Sequence, residues 1–213
     1  MDNDIFELLV RTFTPERMGL AVTALLGTLA GGFTTFFVQT RLKKREQAAA
    51  LKDRLRIFAM ISVRIVADMD NVLKLIEYYR STNSPEYELW KVVHTIDVLP
   101  GFKPDLSQLE PLISLGSSNL VTVAMHLYSE YSSLFATIDR YNGLRKALIA
   151  SHRKPDADEV EEDALEKNMI IHLKFIVETA SLVRDESRQV QHLLYVGSQR
   201  HFGSGEFLKL NDD

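Results

Sequence analysis

The sequence predicts an all-α protein: an N-terminal single transmembrane helix continuing into an extended antiparallel bundle of three long helices with a short helical cap. Three observations carry this. Met18 to Thr40 is an apolar run without a charge, and about 20 such residues span the hydrocarbon core of a bilayer. Beyond it, apolar residues recur in steps of three and four, the period of one helical face. The prolines and glycines past the run fall mostly between those periodic stretches, where chains turn.

Composition narrows the classes of function. Of the 213 residues, 46% are hydrophobic and 25% charged, a globular rather than a disordered balance. The net charge of −4 is too small to point to nucleic acid. There is no Cys, so disulfide frameworks and thiolate metal sites are excluded.

The elements follow in order. Asp4 to Phe13 places Ile5, Phe6, Leu9, Val10 and Phe13 on one face, so residues 1–14 are expected to form an interfacial helix along the headgroups. Thr14-Pro15-Glu16 reads as a helix start: a capping hydroxyl, a proline in the first turn, and an acid at the positive end of the dipole. The transmembrane helix is assigned to 15–41. The acidic N-terminal flank and the basic residues after the apolar run argue against a cleaved signal peptide.

Arg41, Lys43, Lys44 and Arg45 form a membrane-surface basic cluster. Basic flanks resist translocation, so the N-terminus is expected outside and the C-terminal part in the cytoplasm, as in a bacterial inner membrane. Inside the span, Gly19, Thr23, Gly27, Gly31 and Thr35 recur every four residues. Helices in lipid associate where small residues let backbones approach, and Gly27-x-x-x-Gly31 has that form. These five are the expected helix-packing face.

Residues 42–200 are expected to form the bundle and 201–213 a flexible tail. Leu51, Leu55, Phe58, Ile65, Met69, Val72, Ile76 and Tyr79 mark the first stripe, broken only by Ser62. A short helix is expected from Pro85 to Leu99, and another from Asp105 to Leu115 that Pro111 interrupts. Leu120, Ala124, Leu127, Tyr131, Leu134, Ile138, Tyr141 and Leu148 mark the next long helix, about 118 to 152. If that helix returns toward the membrane, its basic end (Arg145, Lys146, Arg153, Lys154) meets the headgroups. The last helix carries Val160, Ala164, Ile171, Phe175, Leu182, Val190 and Leu193 as its stripe and runs to about Tyr195. Its acidic start, 156–166, is expected beside the basic stretch from Arg41 to Arg56.

Catalytic signatures are missing: no phosphate-cradling glycine loop, no H-E-x-x-H and no G-x-S-x-G. His94 and Asp97 are a turn apart if helical, but a third metal ligand is not evident. Asp68 and Asp70 face different ways on a helix, poor geometry for paired acid–base work. Tyr78, Tyr79, Tyr87 and Trp90 gather aromatics at the distal turn, to close the bundle or to bind a partner. No catalytic, cofactor or metal residue is assigned, and no cofactor, nucleic acid or small-molecule substrate is expected. The function expected is non-enzymatic: a single-pass anchored interaction or scaffold protein, associating through the small-residue face and binding a protein partner with its bundle. The partners expected are membrane lipid and a protein, either a second copy or another membrane protein. The alternative is a membrane-perturbing or pore-forming effector built from oligomerised spans.

Overall fold

A computed structural model of the chain describes residues 15–84, 88–101, 103–153 and 159–208. Among them the secondary structure is entirely helical, with no strand. The expected interfacial helix at 1–14 lies outside the described residues. The chain divides into two compact units, Met1–Leu51 and Lys52–Asp213.

In the first unit every described residue is helical, and all belong to α1, Pro15–Thr82. This part of α1 holds an 18-residue window of mean hydropathy 1.4 with none of it buried. By length and composition it is apolar enough to cross a membrane. The second half of α1 opens the second unit. There follow α2 (Leu89–Val92), a 3-10 turn (Leu106–Leu109), α3 (Glu110–Ile113), α4 (Ser118–Ser151), α5 (Glu159–Phe202) and a last 3-10 turn (Glu206–Leu208).

Within the second unit the core is a set of apolar stripes. From α1 it takes Leu55, Phe58, Ile65, Met69, Val72 and Ile76, and from α4 the whole expected stripe from Leu120 to Leu148. Each such side chain removed from water contributes about 1.5–3 kcal/mol. Ser62, the break in the α1 stripe, is buried, and its backbone carbonyl accepts a hydrogen bond from the Ser187 hydroxyl of α5 at 2.7 Å. A small polar residue there gives two helices a satisfied crossing rather than a gap.

Three expectations are corrected. The first is the helix from Pro85 to Leu99. Among the described residues of that stretch only Leu89–Val92 is helical; 93–100 has no regular secondary structure, and Val93 is extended. Val92, Val93, Thr95, Ile96 and Val98 are β-branched and give little to a helix. The extended backbone is captured from α4 instead: the Tyr141 hydroxyl donates to the Val93 carbonyl at 2.6 Å. Asn142 accepts from the Ile96 N–H and donates to the Ile96 carbonyl, each at 3.0 Å. Burial pushes the Tyr141 phenol up to about 12, so it stays protonated as that donor.

The second is the direction of α4. Along α4, Tyr128 meets Phe58 with ring centroids 6.0 Å apart, Tyr131 bonds to Asp68, and Arg145 reaches the Trp90 carbonyl. Position rises along α1 and on into α2 as it rises along α4, and α5 runs against both α1 and α4, so α4 runs alongside α1 in the same sense, not antiparallel to it. The physical reason is the connection. Among its described residues the 83–117 connection holds only short helices and turns, and it comes back down the length of α1, with Gly101 at Asp68 and Glu110 at Arg54, before α4 starts. The basic end of α4 therefore lies beside Trp90 and His94 (Lys154 is outside the described residues). It is α5 that reverses: Arg184 lies 3.8 Å from Asp70, and Lys52 sits 5.2 Å above the Phe202 ring. The acidic start of α5 meets the far end of α4, where Glu162 lies 3.5 Å from His152. It does not lie beside Arg54 or Arg56.

The third is the face of α5. The buried residues are Met169, Leu173, Ile176, Ala180, Val183, Val190 and Leu194, with Thr179, Ser187, Gly197 and Ser198. Of the expected stripe only Val190 is buried, while Val160, Ala164, Ile171, Phe175 and Leu182 are exposed. Two apolar stripes share this helix. The one that packs also carries the small residues that admit close neighbours. The helix runs on to Phe202, past Tyr195, because Gly197 and Ser198 are inside the core rather than in a tail.

Candidate interaction surfaces

The apolar part of α1 presents large side chains on all sides: Leu20 is 72% exposed, Phe33 73% and Phe36 68%. Threonines in such a helix bring hydroxyls that lipid cannot satisfy. Each is satisfied locally, by donating to the carbonyl four residues back: Thr23 to Gly19 at 2.7 Å, Thr28 to Ala24 at 2.8 Å, Thr34 to Ala30 at 2.7 Å, and Thr35 to Gly31 at 2.8 Å. A Cβ added at Gly19, Gly27 or Gly31 meets nothing within 4 Å. The face of Gly19, Thr23, Gly27, Gly31 and Thr35 is thus open, flat and free of unpaired polar groups. Arg41, Lys43, Lys44 and Arg45 are all exposed on the same helix, with the Arg41 guanidinium 5.0 Å above the Phe37 ring.

In the second unit the titratable groups are used for structure. Asp68, 1% exposed, accepts from the Tyr131 hydroxyl at 2.6 Å and the Gly101 N–H at 2.8 Å, and pairs with Arg64 at 3.2 Å. Each hydrogen bond ties α1 to a different element: α4, or the returning connection. A side chain at residue 101 would overlap Arg64 and Asp68, so glycine is required by close approach. Asp70 faces Arg184 instead, and the two aspartates do not share a site. His126 on α4 lies 2.9 Å from Glu186 on α5 and 3.8 Å from Glu130. The Glu186 hydrogen bond raises its pKa above the ordinary value. His94 is not on a helix with Asp97; its Nδ1 lies 3.0 Å from the Arg145 guanidinium. Among the described residues no group of three His, Asp or Glu is placed to hold a metal.

At the distal turn the aromatics part ways. Trp90 is buried and donates from its indole N–H to Glu88 at 3.0 Å, while Tyr78 is exposed. Tyr87 is outside the described residues. Beside Trp90 opens a cavity of about 440 Å³, floored by Leu89, Ile170, Leu173 and Val177 and rimmed by Arg80, Lys174, Glu88 and Glu178. On the outer face of α5, Ile171 is 63% exposed. That face carries the stripe expected in the core, and it is exposed instead. Two stripes offset by less than half a turn were the available signal.

The chain matches no protein-family model, no curated protein and no solved structure.

Proposed function

We propose that this chain is a single-pass, membrane-anchored helical interaction protein without catalytic activity. The apolar part of α1 spans the bilayer, the N-terminus lies outside, and residues 52–208 form a three-helix bundle in the cytoplasm that engages a protein partner. The observation that carries the reading is the apolar stretch of α1. It buries none of its large side chains and pairs its threonine hydroxyls with its own carbonyls, and Arg41, Lys43, Lys44 and Arg45 follow directly. Water penalises such a surface, and a bilayer removes the penalty. Small residues on one side of the span supply the association face. The bundle binds or scaffolds, because its buried Asp68 and its exposed His126–Glu186 pair join its own helices.

The test is extraction and protease protection of the expressed full chain. Retention in alkaline-washed membranes, with the bundle cleaved only from the cytoplasmic side, is the expected result. Release by alkaline wash overturns the anchor, and cleavage from outside overturns the orientation.

A further inference from the structure

On α5, Ile171 and Leu182 lie eleven residues apart, with Ala164 and Phe175 spaced likewise beside them. An eleven-residue spacing is three helical turns, so these side chains stack nearly parallel to the axis rather than winding around it. All four are exposed. An exposed apolar line of this kind marks an interaction surface.

The charges along its edge say what covers it. Lys167, Lys174, Glu178 and Asp185 lie on one flank of the stripe, all four exposed; within the chain Lys167 pairs with Asp163, Lys174 with Glu178 and Asp185 with Arg184 and Arg188, exposed pairs that cost little to exchange for a partner's charge. Lys167 and Asp185 are equidistant from the level of Ile176, and so are Lys174 and Glu178. A reversed copy of α5, related by a two-fold axis at that level, brings Lys167 against Asp185 and Lys174 against Glu178, each twice. The same operation brings Ile171 opposite Leu182. In a parallel pairing opposite flanks meet, so Asp185 falls against Glu186, a carboxylate already held by His126, and none of the four lysine–carboxylate pairs forms.

We propose that the outer face of α5 is a self-association surface, on which a second copy of this chain packs its own α5 antiparallel about Ile176. The interface is isologous, each copy giving the same patch. It uses the second unit alone and does not depend on the membrane reading.

The absence of Cys makes the test direct. Full-length single-Cys variants are purified in detergent and treated with a short bis-maleimide. Phe175→Cys, near the axis, is expected to crosslink to itself. Ile171→Cys and Leu182→Cys are expected to crosslink only when the two are mixed, since about 15 Å of helix separates identical positions there. Self-crosslinking of Ile171→Cys as strong as that of the mixture means parallel pairing and overturns the proposal, and so does the absence of any crosslink. A charge exchange supplies a second arm on chains carrying Phe175→Cys. Lys167→Glu with Lys174→Glu, and Glu178→Lys with Asp185→Lys, each lose the dimer band alone and regain it when mixed. Retention of the band by either alone also overturns the proposal. Neither arm touches the span, so failure here leaves the anchored reading standing, and failure of alkaline retention leaves this one standing.

Discussion

Asp68 is the residue on which the most elements converge. Its carboxylate is almost wholly buried, and one oxygen accepts from both Tyr131 and Gly101. A buried donor that loses its acceptor costs more than the bond it made. Asp68→Ala is therefore expected to destabilise the second unit by about 2–4 kcal/mol in chemical denaturation. Asp68→Asn keeps an acceptor and costs less. His126 is a different kind of contact: exposed, but held by Glu186 so that its pKa is raised above 6.5. A raised pKa means that the folded state binds the proton more tightly. The pair's contribution is fully present below about pH 6.5 and is lost as pH rises through the higher folded value. The expected outcome is a fall in stability above pH 6.5 that His126→Gln removes, followed by thermal melting across that window.

At the scale of elements, the connection from 83 to 117 decides the architecture, and its hold on α4 is local. Asn142 satisfies both backbone groups of Ile96, as a neighbouring strand would, and Tyr141 takes the Val93 carbonyl. Asn142→Ala leaves the Ile96 N–H and C=O without that partner and is expected to cost about 1–3 kcal/mol. Faster amide exchange at Ile96, with α4 itself unchanged, is the diagnostic measurement. The helix stripes of α1 and α4 were legible because each holds a single apolar face. That of α5 was not. It holds two, and periodicity counts faces without saying which one finds a neighbour. The 93–100 segment misled for a related reason. Its β-branched run signals extended backbone, but one apolar turn at Trp90 made a helix look continuous.

For the whole molecule, the prediction concerns association in the membrane. Gly27 and Gly31 face open space within the chain, so enlarging them disturbs nothing in the fold of one copy. Gly27→Leu with Gly31→Leu is expected to abolish association of the spans, read by crosslinking or energy transfer in bilayers, without altering the helical content. Unchanged association would remove that face from the account. The sites proposed differ in how they could be read. The five small residues and the four basic ones are readable as spacing and charge because they lie along one helix, where position in sequence fixes position on a face. The α5 surface was visible only once the buried face was known.

What the amino acids determine by themselves is local. They dictate helix where apolar residues recur in steps of three and four, an uncharged stretch long enough for a bilayer, and breaks at Ser84-Pro85, Gly116 and Pro155. Direction and choice of face belong to the tertiary structure. Whether α4 runs with α1 or against it depends on how far the connection travels before turning. Which stripe of α5 is hidden depends on what packs against it. Both are contacts between residues distant in the chain, and a one-dimensional pattern carries no information about distance in space.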